Sequence, residues 1–176
     1  MKTLLFFFLI AYSLSAFSSN VSLEKLGKIE DFTLLDSKNR PFQYAKTLQG
    51  KNWFAIFIFT KCQLVCPRLV DQLKHFSTKW PDAHYVAFSV DSEFDKPSVL
   101  EAFSKKHALE NKANWHFLTG EKEYIQKIIW QQFLVPTKQD AHSQKAILID
   151  RSGLIRGYYS LKEEQQLMAE WLHALK

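Results

Sequence analysis

The 176-residue chain has no block of like charge, no internal repeat, no low-complexity linker and only two cysteines. Each absence removes something. The 23 Lys and Arg outnumber the 18 Asp and Glu, giving a net charge of +5. The basic residues are scattered, however, so a nucleic-acid-binding face is not supported. Mild attraction to an anionic membrane surface is compatible with that charge. Without repeats or linkers, the length suits one domain around one core. Hydrophobic residues make up 47% of the chain, which excludes a disordered composition. The 15 Phe and 5 Trp are read as core fillers rather than as base-stacking platforms.

What is present begins with "MKTLLFFFLIAYSLSAFSS". One Lys precedes an apolar run from Leu4 to Tyr12, short for a membrane span, and small residues follow. This predicts a signal peptide over residues 1–19, with Ser13, Ser15 or Ala16 at the cleavage site. An uncleaved anchor is the alternative. No cysteine lies in the segment, which excludes a bacterial lipoprotein anchor. Residues 20–176 are then an exported domain, expected in a bacterial periplasm, either soluble or held at the inner membrane by the N-terminus. That compartment permits disulfides.

Hydrophobic periodicity gives the elements. "DFTLLDSKNRPF" (31–42) alternates and turns at Ser37–Arg40, predicting a β-hairpin. "NWFAIFIF" (52–59) is continuously apolar, as expected of a strand buried on both faces. In "PRLVDQLKHFSTKW", Leu69, Leu73, Phe76 and Trp80 recur at helical spacing, with Pro67 in the first turn. Strands are expected over 84–90, 115–120, 145–150 and 154–159, the last two joined by "RSG", where Gly153 suits positive φ. Helices are expected over 97–109, 121–133 and 162–175. After the hairpin the order is β-α-β-α-β-α-β-β-α. This predicts an α/β, thioredoxin-like fold with an N-terminal β-hairpin and a β-α insertion.

Both cysteines fall in "FTKCQLVCPRL" (59–69), where the buried strand hands over to a helix. Unpaired N–H groups and the helix dipole favour negative charge there. Both thiols are therefore expected to be more acidic than free cysteine, with Lys61 pushing the same way. Thiolates serve equally as redox nucleophiles and as ligands of a soft metal. Three residues separate Cys62 from Cys66, one more than in thioredoxin-type oxidoreductases. So short a loop removes little chain entropy and makes a poor structural staple. A disulfide and a two-sulfur metal site both remain open. Of the six histidines, His75, His84, His107, His116 and His173 lie in or beside expected elements, where packing or surface roles are the default. His142 lies in a polar loop directly before a strand. In a thioredoxin-like fold that loop faces the N-terminus of the first helix, which makes His142 the candidate third ligand.

"FTKCQLVCP", "SVDSEFDKPSVLEAF", "FLTG" and "HSQKAILIDRSGLIRGYY" together resemble the Sco/SenC family, from about Asp31 to Tyr159. The specific element is Cys-x-x-x-Cys-Pro followed some 75 residues later by His-Ser before a strand ending in Asp. The resemblance implies one copper ion, Cu(I) or Cu(II), per monomer, held by Cys62, Cys66 and His142. It also implies a disulfide between Cys62 and Cys66 in the oxidised apo state. Members help assemble the dinuclear copper site of cytochrome c oxidase, as metallochaperone, as thiol reductant of the target, or as both. The implied partners are the copper-accepting oxidase subunit and other periplasmic copper or thiol-redox proteins. Asp91 and Asp95 match a family acidic stretch. With Asp140 they are candidates to orient the ligands or structure the loops, and turn or helix-capping roles are the alternative.

The chain departs from the family pattern in three places. Gln63 stands where many members have proline, Ile58 and Phe59 where many have Gly and Tyr, and Ala141 where many have an acidic residue. None removes a ligand. The competing reading is a general periplasmic thiol–disulfide oxidoreductase, which would not need His142. A peroxiredoxin would need Thr three residues before its reactive cysteine, where this chain has Phe59.

Overall fold

The computed structural model describes residues 26–136 and 144–160. The expected hairpin forms: β1 (Thr33–Asp36) turns through residues 37–40 into β2 (Pro41–Gln43). Asp36 builds the turn. Its Oδ1 accepts from the N–H groups of Lys38 and Arg40 at 2.9 and 2.8 Å, and its Oδ2 takes the Arg40 guanidinium at 2.9 and 2.7 Å. A single helical turn that the sequence reading did not anticipate, α1 (Tyr44–Thr47), follows at once. Its Tyr44 ring turns inward and stacks on Phe32 at 5.4 Å.

The central strand, β3 (Trp53–Ile58), is buried at all six positions. Its period of two divides the core. Phe54, Ile56 and Ile58 face α2 (Val65–Lys79) and α3 (Pro97–Lys106), while Trp53, Ala55 and Phe57 face α4 (Lys122–Phe133) and the hairpin. Helix α2 buries Cys66, Leu69, Val70, Leu73 and Phe76 as one stripe. Each fully buried side chain of Leu size contributes about 2 kcal/mol. Trp80, just past the helix, stacks on both Phe54 and Phe76 at 5.9 and 5.6 Å.

The remaining strands are β4 (His84–Ser89), β5 (Trp115–Thr119), β6 (Lys145–Ile149) and β7 (Ile155–Ser160). The sheet order is β2-β1-β5-β4-β3-β6-β7. Strands β3, β4 and β5 run parallel, and every other pairing is antiparallel. The inserted α3–β5 unit widens the parallel part, and β1 then pairs with β5. Gly153 adopts φ 78° in the β6–β7 turn, as expected. There a Cβ would come within 2.8 Å of the Tyr44 hydroxyl. This is the anticipated α/β order. The expected signal segment over 1–19, the helix expected over 162–175, Asp140, His142 and His173 lie outside the described residues. No helix among the described residues is long and apolar enough to cross a membrane.

The topology gathers three loops at one end of the sheet. Parallel pairing brings the ends of β3 and β4 together, and the Val90 N–H donates to the Ile58 carbonyl at 2.8 Å. Antiparallel β6 pairs Ile147 with Ala55, so Lys145 begins that strand at the same end of the sheet. The loop after β3, the loop after β4 and the entry to β6 therefore converge where the cysteines lie.

Candidate functional site

Cys62 sits in the loop between β3 and α2, and Cys66 lies in the first turn of α2, as the position of Pro67 predicted. Both are reduced. The Cys62 N–H donates to the Phe59 carbonyl at 3.1 Å, curling the loop back. That turn puts the Cys62 sulfur over the open N-terminus of α2, where the Cys66 N–H donates to it at 3.3 Å. Burial opposes the Cys62 thiolate. The backbone N–H and thiol of Cys66 and the N–H groups of Leu64 and Val65 outweigh it and hold the Cys62 pKa below its ordinary value.

Cys66 corrects the expectation of two acidic thiols. It is 0% exposed, on the same inward stripe as Leu69, Val70 and Leu73. Burial, reinforced by the Cys62 sulfur and the Asp95 carboxylate, pushes its thiol up to about 12. The pair is therefore unequal, with a half-exposed thiolate-forming sulfur in front of a buried protonated one. Lys61 also departs from expectation. Its ammonium lies 3.8 Å over the Phe94 ring and 3.7 Å from Asp91 Oδ2, so its charge serves the neighbouring loop.

That neighbouring loop, between β4 and α3, carries two of the three acidic candidates. Asp95 is 0% exposed. It accepts the Thr60 N–H at 3.1 and 3.3 Å, the Thr60 hydroxyl, and the Ser89 hydroxyl at 2.7 Å. Burial raises its pKa despite these bonds, and Asp91 adds to the rise. Asp95 thus ties the residue two before Cys62 to the end of β4. Asp91 Oδ2 is buried without a hydrogen bond, and the Asp91 carbonyl accepts the Asp95 N–H at 2.8 Å. The sequence singled out the aspartates but not Thr60 and Ser89, the hydroxyls that complete the tie. Their positions at the ends of β3 and β4 were the available signal.

Four other histidines take packing or surface roles. His84 and His116 stack across β4 and β5 with ring centroids 5.3 Å apart, and His84 Nδ1 lies 3.0 Å from His116 Nε2. This pair sits at the start of β4, opposite the cysteine end. His107 Nδ1 lies 2.7 Å from Asp71 Oδ1 and links α3 to α2. His75 is exposed on α2. Among the described residues no group of three or more His, Cys, Asp or Glu side chains is placed to hold a metal ion. The two thiols stand there as a pair. Their soft sulfur donors, on one short loop, fit a thiophilic ion such as copper and equally fit a disulfide.

The SCO1/SenC family model matches residues 22–176. A SCO1 protein homolog of Bacillus subtilis is 37% identical over 99 residues, covering 53% of this chain and 49% of that relative. The match thus spans about half the length of that relative. A SCO1/SenC family lipoprotein of Bacillus anthracis has the same fold, with a TM-score of 0.74 at 30% identity over 85% of this chain and 96% of its own. BsSco, a Sco family cytochrome c oxidase assembly protein with a disulfide switch, gives a TM-score of 0.72 at 26% identity, covering 84% and 93%. The copper-bound structure of Bradyrhizobium japonicum ScoI gives 0.64 at 23% identity, covering 82% and 98%, which is a likeness of fold. The cysteine pair at the strand–helix junction, the widened sheet and the family match over residues 22–176 agree, and the chain belongs to the SCO1/SenC family.

Proposed function

We propose that this protein binds copper as cargo through Cys62, Cys66 and His142 and passes copper, electrons or both to a cysteine-bearing target in assembly of the copper site of cytochrome c oxidase. The observation that carries this reading is the unequal sulfur pair at the start of α2, with Cys62 half-exposed and Cys66 buried. Two sulfurs and an imidazole suit Cu(I) at low coordination and also hold Cu(II). The start of β6 at the cysteine end of the sheet supports His142 as the third ligand, because only residues 143 and 144 separate it from Lys145. Asp95 and Asp91 support the ligands indirectly by fixing the loop that enters Cys62. The cargo supplies a soft cation for the sulfurs, and the protein's own part is to hold those sulfurs together and leave Cys62 reachable.

The signal-like N-terminal segment and the cysteine chemistry together point to a periplasmic location. Thiol–disulfide exchange without obligatory copper is the second reading, favoured by the accessible front sulfur and buried reserve sulfur. Copper titration of the reduced full chain separates the two. One equivalent bound, with sulfur-to-Cu(II) charge-transfer absorption lost in Cys62→Ser and altered in His142→Ala, is the expected result. No stoichiometric copper, with full exchange activity in His142→Ala, would establish the second reading instead.

A further inference from the structure

Around Cys62 the chain exposes two large apolar side chains, Leu64 and Phe94. Leu64 is 65% exposed at the N-cap of α2 and supplies no side-chain capping bond. That position ordinarily favours Ser, Thr, Asp or Asn, which satisfy the first free N–H groups. An exposed leucine there opposes both helix capping and solvation, and such local conflicts concentrate at functional sites. Phe94 is 44% exposed in the loop that braces Cys62, with its ring beneath Lys61. The charges facing outward are basic: Lys61 and Arg68 are exposed, Arg68 one turn beyond Leu64. The nearby acids are engaged: Asp91, mostly buried, lies 3.7 Å from the exposed Lys61 ammonium and offsets part of its charge, Glu93 pairs with Lys122 at 2.7 Å, and Asp95 is buried.

We infer that Lys61, Leu64, Arg68 and Phe94 form a docking rim for the exchange partner's cysteine-bearing segment, one with apolar and acidic residues beside its sulfurs. This rests on the sulfur chemistry proposed above and adds the character of the partner. A second copy of this chain is a poor occupant, because its rim would bring basic groups against basic groups. In the exchange, the Cys62 thiolate attacks one sulfur of the partner's disulfide. A mixed disulfide forms, and the displaced partner thiolate takes up a proton. Cys66 then gives up its proton and attacks the Cys62 sulfur, releasing the second partner thiol. The protein dithiol is oxidised by two electrons and the partner disulfide is reduced by two.

The test compares disulfide probes against the reduced full chain by stopped flow. The probes are a short peptide disulfide flanked by Leu and Glu, the same peptide with Lys for Glu, and neutral 4,4′-dithiodipyridine. The acidic peptide is expected to react about ten-fold faster than the basic one at low salt, with the gap closing at high salt. Leu64→Ser and Phe94→Ala are each expected to lower the ratio of acidic-peptide rate to dithiodipyridine rate about five- to ten-fold. The dithiodipyridine rate of each variant reports on the sulfurs themselves, so a loss of fold or of Cys62 reactivity is divided out of the ratio. An unchanged ratio in both variants would overturn the rim. Failure of the wild-type protein to react with dithiodipyridine would overturn the sulfur chemistry itself, and the rim with it.

Discussion

A thiol in the first turn of a helix is ordinarily made more acidic by the N–H groups around it. Cys62 obeys this rule and Cys66 does not. Cys62 lies outside the helix, where its sulfur meets the open N–H groups from without. Cys66 lies within the turn, and its side chain points down the stripe of Leu69, Val70 and Leu73 into the core. The sequence held this distinction, because Cys66 continues the inward spacing of those residues. Position relative to the helix end was read from Pro67, but depth was not. The expected outcome in the reduced protein at neutral pH is that iodoacetamide modifies Cys62 first, with Cys66 protected until the protein unfolds. Peptide mass spectrometry after brief alkylation measures this, and equal labelling of the two would contradict the assigned asymmetry.

At the level of elements, the long periodic segments were legible and the joints between them were not. β3, α2, α3, α4 and the β6–β7 hairpin lie where hydrophobic spacing places them, because each buries a full face or stripe. The turn of α1 was not legible, because four residues carry too little periodicity to show. The joint that matters most is the tie between the β3–α2 and β4–α3 loops, made by Asp95 with Thr60 and Ser89. Residues 35 apart in the chain meet there, a pairing no local pattern reveals. Asp95→Ala would leave three donors in a water-poor site without an acceptor. The expected loss of stability in urea unfolding is about 2–3 kcal/mol. Asp95→Asn keeps one accepting oxygen and should lose about 1 kcal/mol. A change below experimental error in Asp95→Ala would show that the loops hold together without it.

Across the whole molecule, the sheet carries its chemistry at one end and a titratable pair at the other. Burial depresses His84 to about 4, with Lys51 adding, and His116 to about 3, with His84 and Lys51 adding, both from an ordinary 6.5. The unfolded chain therefore takes up protons near pH 6.5 that the folded protein refuses until about pH 4 at His84 and about pH 3 at His116. The stabilisation from keeping these rings neutral is full above pH 6.5 and lost as pH falls through about 4 for His84 and towards about 3 for His116. Urea midpoints should fall across that window in the wild type, and His116→Phe should flatten the fall. Equal slopes in both proteins would remove the histidines as the cause. Composition and spacing announced the α/β class, but the meeting of these two rings depends on strand order, which only the folded sheet displays. One of the two edge strands of that sheet, β2, has three residues and begins with Pro41, which has no N–H to offer a neighbour. A visiting backbone therefore finds little there to zip onto. Growth of the sheet by adding a foreign strand is blunted at this margin, so a partner that approaches the cysteine end meets side chains and loops there rather than an open strand at β2.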